Sequence, residues 1–596
     1  MTSARTCIMV SCAAGLVAGA LLAAASVMGA PHVGFDFCYF LPRLIDVYLH
    51  QRTEGLWTIQ WWTPSFGAGL PAFFNPQHTQ FMLAQWLLHW LGPWQAAVAQ
   101  AALFNAFGCA MLVWICARRM GYGLGASLLA GATFATSGFM WEHTLAGHMS
   151  FNVFPVVAIV PEALHRGVST LRAVAWLALG VAVMVYGAGY TVIITFGLTC
   201  LLLAGLLPWA WPECYRVSDV TRKLVFGAAA ATATVAIKVS AALLFLSSFP
   251  RLVDSHYDGR GFLAVPSLLW QLFGRRMFLG LALWFPFSGD ELQPLLGHGE
   301  DVGYGLVTLL ILLFGATRFH RQQLDSPRRE SSWPLVLAVA GAIWITTEFT
   351  LGRGLVWPIL KPLPFLRSLN ENHRLAASFA LPLALCVAPC WSALIKGRSR
   401  LAVLAATVVA IVGTLASVVP YFRARTTTFW FSSYDVSSIA TTWNRLEAAP
   451  EEHFPIERVS DLRDDATFLA HASSWKPYEP IFGYGYGGSE FQAPFPPGEI
   501  ERLSQNPVTW RFHDPRRLLV PGIATRDRFA PWNGDDAAGL RQLLDRRQPA
   551  WTLPTIIYVG TVTTLAAILA LTFYILASSL RAIRELSKRP SLPEIR

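Results

Sequence analysis

The sequence is short of charge. Only 14% of its 596 residues are Asp, Glu, Lys or Arg, against about 25% in soluble globular proteins, and the deficit falls in many separate apolar runs. Nine cysteines are present without a CxxC pair, which argues against a zinc site or a disulfide frame; most sit in apolar runs as small hydrophobes. No GxxxxGK[ST] and no GxGxxG after a strand stands in a segment expected to be cytoplasmic, which argues against an ATP-driven pump or a sugar-nucleotide enzyme of the Rossmann type. No internal repeat or low-complexity stretch is visible. The formal net charge of +10 comes without a basic patch interleaved with aromatics, so nucleic acid is not an expected partner.

What is present is hydrophobic: 54% of the residues are apolar or aromatic, and the mean hydropathy is +0.44. That balance makes the chain a polytopic membrane protein. About 12 spans are expected: Ile8–Ala30, Trp94–Cys116, Leu124–Phe139, Met149–Leu164, Arg172–Tyr186, Tyr190–Leu207, Leu224–Ser247, Val302–Ala316, Leu335–Thr347, Ala376–Leu394, Leu401–Val419 and Thr555–Ser578. Clustered Arg and Lys fall in alternate loops, so the positive-inside rule gives one topology with both ends cytoplasmic. Ile8–Ala30 reads as a retained helix by its length or as a cleaved signal peptide by the small residues before Pro31. Either leaves the next loop outside.

Four segments are then expected on the outer side: Pro31–Gln80, Phe249–Asp301, Glu348–Leu375 and Pro420–Leu553. The last has a soluble composition and predicts a small α+β domain, with helices over Ser437–Leu446 and Asp535–Asp545. The expected organisation is a transmembrane module over 1–420, an extracytoplasmic domain over 421–552, and a last span with a basic cytoplasmic tail over 553–596. Multi-pass residence in a membrane follows, with membrane lipid as a constant partner.

The loop from Gly34 to Gln80 is dense in Trp, Pro and Gly and carries the first carboxylates of the chain, Asp36, Asp46 and Glu54. Asp36 lies a few residues past the first span. A carboxylate there can accept a proton from a hydroxyl at the membrane interface, or it can cap the amphipathic helix expected from Phe37 to His50; position alone does not choose.

An early acidic residue is followed by Trp62-Thr63-Pro64, then Gly67-Ala68-Gly69-Leu70-Pro71, then Phe73-Phe74-Asn75-Pro76-Gln77. This series resembles the bacterial YfhO-type membrane proteins and, more broadly, the GT-C superfamily of polytopic glycosyltransferases. The resemblance extends through Gly147-His148. It implies a GT-C-like helical fold whose first external loop bears the catalytic Asp, which makes Asp36 the general base. It further implies an inverting transfer from a polyprenyl-phosphate sugar donor to a cell-envelope glycan or lipid acceptor. Some members of that superfamily need a divalent metal ion and others do not, so the metal requirement stays open.

The remaining candidates each carry two readings. Asn75, Gln77 and His78 bind sugar hydroxyls or tie down the loop. His148, in the turn WEHTLAGH with Glu142 and His143, reaches donor phosphate or a metal, or serves as a cap. Lys238, inside the apolar run AIKVSAALLF, meets a lipid phosphate or pairs internally with a carboxylate such as Glu162. Arg275 and Arg276 clamp a lipid phosphate or lie on a solvated interfacial helix, and Arg374 of the stretch RSLNENHR falls under the same two readings. The run from Trp475 to Gly488 is an acceptor-glycan platform or a plain glycine-rich loop. Two rival classes stand beside the transferase: a transporter or flippase of a lipid-linked sugar, and a non-catalytic envelope-assembly scaffold. No inverted repeat supports the first.

Overall fold

A computed structural model of the chain describes residues 3–66, 70–248, 272–273, 303–324, 340–350, 355–363, 366, 369, 372–424, 429–450, 454, 456, 458–460, 465–474 and 553–587. Among these residues six helices are long and apolar enough to cross a membrane, or seven if the bent pair Val217–Thr234 and Ala236–Leu244 counts as one span. The twelve spans expected from hydropathy are therefore not all continuous helices. Helix α1 spans Ala4–Val27 and, after strand β1 (His32–Val33), α2 covers Phe37–Glu54. Strands β2 (Trp62–Thr63) and β3 (Leu70–Pro71) form a small antiparallel hairpin. The short α3 (Leu83–Leu87) then leads into α4 (Pro93–Trp114).

The run Leu124–Phe139, expected as one span, divides into α5 (Leu124–Ala135) and α6 (Gly138–Ala146). A threonine lies at the break: Thr136 Oγ1 donates back to Ala132 O, the carbonyl that Thr136 N also uses, and such back-bonding tends to bend helices. Helix α7 is the brief Ile159–Leu164, followed by α8 (Thr170–Tyr186) and α9 (Tyr190–Ala210). Leu224–Ser247, also expected as one span, is α10 (Val217–Thr234) and α11 (Ala236–Ser248), bent by 67°. Thr232 and Thr234 donate to carbonyls in the preceding turn, a habit that bends helices. The bend leaves backbone groups that must find partners in an apolar setting. Tyr186 Oη donates to Thr234 O at 3.2 Å, and Ile237 N donates to Thr564 Oγ1 at 3.0 Å from the last helix, Thr555–Ser587.

Small residues let the bundle close. A Cβ on Gly15 would lie 2.5 Å from Ala106 O and one on Gly19 would lie 2.7 Å from Ala102 O, so α1 and α4 touch backbone to backbone. The main core gathers α4 to α9 with Ala380–Ile395, whereas a second core is built by α2, Trp94 and the segment from Val436 to Leu469. Helix α4 fixes the long axis. Its first turn packs Trp94 on the Phe37 ring at 4.9 Å, and its last turn, about 33 Å away by helical rise, leads to Arg118 and Arg119.

The segment after Pro420 contributes the helix Ser437–Ala448, as expected from Ser437–Leu446, with β4 (Tyr434–Asp435), β5 (Arg458–Ser460) and β6 (Ala472–Ser474). Strand β4 pairs with β1 across 400 residues of sequence, while β5 and β6 pair in parallel. The expected helix Asp535–Asp545 and the aromatic run from Trp475 to Gly488 lie outside the described residues.

Candidate functional site

Asp36 stands at the N-terminal boundary of α2, where a cap is expected from sequence, yet its side chain makes no capping hydrogen bond. The carboxylate turns instead onto His148 and meets its Nε2. The two residues are 3% and 7% exposed. At that burial a carboxylate and an imidazole are each costly unless they meet a partner of complementary charge. Capping is thus not what occupies this carboxylate.

Backbone contacts explain the meeting. Asp36 N donates to Ala146 O at 2.9 Å, which docks the start of α2 against the end of α6. Helix α6 ends at Gly147 in the left-handed region, with φ +97°, a conformation that costs glycine nothing. That turn swings His148 back towards Asp36. No side chain fits at this crossing: a Cβ on Gly147 would run into Phe37 N, and one on Gly34 into the carbonyl of Leu145.

Two further groups gather behind His148. His143 lies 5.0 Å away between ring centroids, and its Nδ1 is 2.9 Å from Phe139 O. A carbonyl only accepts, so Nδ1 carries a proton in that bond. The Phe151 ring packs on both imidazoles, at 4.3 and 5.5 Å, and holds the Arg374 guanidinium 5.2 Å from its centroid. Asp36, His148 and Arg374, singled out separately in the sequence, therefore share one neighbourhood. Glu142 is buried in α6.

The other candidates form a second cluster. Lys238, 4% exposed, donates to Phe73 O at 2.6 Å and to Asn75 O at 2.7 Å, with its ammonium 4.5 Å from the Phe73 centroid. Its pairing with Glu162, one of the two sequence readings, does not occur: Glu162 takes both Nε and Nη2 of Arg119 at the far end of the bundle. Asn75 accepts from Gln77 N at 2.8 Å and donates to Tyr39 Oη at 3.4 Å. His78 Nε2 is 2.8 Å from Gln60 Oε1. These contacts follow the loop-fixing reading of Asn75 and His78. Gln77 is buried beside them. Arg275 and Arg276 lie outside the described residues.

Lys238 and Pro76 also line a cavity of about 620 Å³ between α8, α9, α10 and α11, whose remaining lining includes Leu177, Val181, Ile193 and Leu224. The lining is almost wholly apolar, with Lys238 and Thr232 among its polar members. Replacing Lys238 by Met removes the cation from two loop carbonyls and is expected to cost about 2 kcal/mol. Faster cleavage of residues 57–80 in limited proteolysis is the measurement.

Sequence reasoning passed over Tyr39 and Arg43 and gave Asp46 no role. Asp46 accepts from Gln60 Nε2 and Thr63 Oγ1, each at 2.9 Å, and from Ser65 Oγ, so it anchors the hairpin of the loop. The available signal was a row of charges on a helix otherwise buried, at Asp36, Arg43 and Asp46.

Two histidines of this loop are held neutral. Burial lowers His50 to about 4, opposed by its bond to Thr58 O, and burial lowers His78 as well, helped by the charges of Lys238, His50 and Arg43. In the unfolded chain an imidazole titrates near 6.5. The unfolded state therefore takes up protons first as pH falls, and stability present above pH 6.5 is lost progressively towards pH 4. Thermal unfolding across that window is expected to show a falling Tm, and His50→Gln flattens the dependence.

No metal-holding group of three or more His, Cys, Asp or Glu occurs among the described residues. No family model and no curated protein matches the chain. Solved structures do. The chain is 16% identical to the arabinofuranosyltransferase AftD from Mycobacteria, with a TM-score of 0.43 over 77% of this chain and 30% of that one. It is 15% identical to an Archaeoglobus fulgidus oligosaccharyltransferase solved with zinc and sulfate, with a TM-score of 0.37 over 78% of this chain and 62% of that one. The chain thus spans less than two thirds of either neighbour. Similarity of this size fixes neither a shared activity nor a shared substrate.

Proposed function

We propose that the chain is an integral-membrane glycosyltransferase of the GT-C type. It moves a sugar from a polyprenyl-phosphate donor to a hydroxyl of a cell-envelope acceptor on the outer face of a bacterial inner membrane. The observation that carries this reading is the Asp36 carboxylate, buried at the start of α2, uncommitted to helix capping and set on His148. A carboxylate so placed takes the proton from the acceptor hydroxyl as that oxygen bonds to the anomeric carbon. The bond from the anomeric carbon to the phosphate oxygen breaks on the opposite face, with inversion, and the lipid phosphate leaves with the electron pair.

His148 orients the carboxylate and shares its proton. Arg374, across Phe151, is suited to the charge on the departing phosphate, since a guanidinium matches phosphate oxygens. The apolar cavity that Lys238 helps to line suits the polyprenyl chain. Where a divalent ion serves in the reaction, it would neutralise the same phosphate.

Mass spectrometry of envelope glycans from a strain lacking this chain tests the reading. A glycan missing a terminal or branching sugar, restored by the wild-type chain, supports it. Intact glycans together with a lipid-linked sugar accumulating on the inner leaflet would point to transport instead.

A further inference from the structure

The approach to Asp36 is not built by the first loop alone. Strand β1 lies in register with β4, His32 opposite Asp435 and Val33 opposite Tyr434, and Val436 N donates to Pro31 O at 3.0 Å. Phe35 N donates to Trp430 O at 3.1 Å, while the Phe35 ring sits 5.5 Å from Phe429. The five residues before Asp36 are therefore held by a segment nearly 400 residues downstream.

A second grip lies on the other side of Asp36, two turns into α2. Arg43 is buried there and forms an ion pair with buried Asp465. Its guanidinium is stacked between two rings, 3.6 Å from the Tyr39 centroid and 4.3 Å from that of Phe66. The Nη1 that meets Asp465 also donates to Tyr39 O at 3.1 Å, and Tyr39 N donates to Asp36 O at 3.0 Å. A path of hydrogen bonds thus runs from Asp465 through Arg43 and the first turn of α2 to the backbone of Asp36. A buried arginine stranded without its counter-ion is strongly unfavourable, so the geometry around Arg43 depends on the downstream segment being docked.

We propose that residues 429–436 and the turn Asp465–Ala470 form the second half of the site, clamping the Asp36 loop from both sides, and that Arg43 is the positioning residue through which Asp465 sets the first turn of α2. A planar fork is needed, because one group must meet a carboxylate and a carbonyl while stacking on two rings. A lysine would keep the charge and the pair but not the stack. The proposal rests on Asp36 as the reacting carboxylate, and it has a readout that does not depend on sugar transfer.

The full chain in lipid nanodiscs, as wild type and as Arg43→Lys and Asp465→Asn, is compared by hydrogen exchange and by labelled-sugar incorporation in membranes. Exchange over residues 34–40 is expected to accelerate at least tenfold in both variants, exchange over α4 to stay unchanged, and incorporation to fall at least tenfold. Wild-type exchange at 34–40 in Arg43→Lys overturns the proposal, because the pair would then be simple electrostatic glue. Acceleration that spreads to α4 in both variants overturns it too, since the pair would hold the whole molecule and not the site. If wild-type membranes incorporate no sugar, the transferase reading fails, while the exchange result still decides whether Arg43 positions this turn.

Discussion

Asp36→Asn is expected to lower sugar transfer by at least about a hundredfold, the range general-base removal commands, while the protein stays folded. Asparagine keeps the size of the side chain and can still accept from His148 Nε2. It cannot take a proton. The backbone bond from Asp36 N to Ala146 O is untouched, so α2 keeps its dock on α6. Reconstituted transfer with purified variant, alongside its thermal unfolding, separates chemistry from folding. Transfer at the wild-type rate in a folded Asp36→Asn protein would remove this carboxylate from the base role. His148→Gln provides the companion measurement: the hydrogen bond survives but the imidazole does not, and a milder loss of transfer is expected.

Gly147→Ala is expected to be nearly as damaging, by a different route. The residue has φ +97°, in the left-handed region, and a side chain there is strained in itself. The new methyl would also meet Phe37 N and the Phe37 ring. Strain and overpacking together cost about 3 kcal/mol. The chain has a way to relieve it, which is to part α6 from α2, and that movement separates His148 from Asp36. Transfer should fall together with the midpoint of thermal unfolding. Gly121→Ala is the control: Gly121 is also left-handed, φ +78°, but nothing lies within 4 Å of its added Cβ. It carries the backbone strain without the collision, so its effect on transfer should be small.

Much of the candidate site could be read from local pattern, but not its assembly. The amphipathic helix after Asp36 is visible because apolar residues recur through Phe37, Phe40, Leu41, Leu44 and Ile45, and α2 runs as that spacing predicts, four residues further, to Glu54. What local pattern misjudged was continuity. Leu124–Phe139 and Leu224–Ser247 have the hydropathy of unbroken spans, yet both break beside threonines whose hydroxyls share a carbonyl acceptor with the backbone N–H groups. A hydropathy window averages over such sharing. The second break matters for function, because it brings Lys238 under the loop carbonyls of Phe73 and Asn75 instead of leaving it in a straight apolar helix.

By itself the sequence determined that this is a polytopic membrane protein with a polar, aromatic loop after its first helix, and that Asp36, His148 and Arg374 were worth watching. Charge scarcity and run length decide the first, since hydrocarbon admits few ionised groups. Only the tertiary structure decided which partner each candidate keeps: Asp36 on His148, Lys238 on loop carbonyls, Glu162 on Arg119, and Arg43 on an aspartate 422 residues away. The physical reason is that a buried charge takes its partner from whatever side chains packing brings within a few ångströms. Sequence spacing carries no record of contacts made between segments hundreds of residues apart.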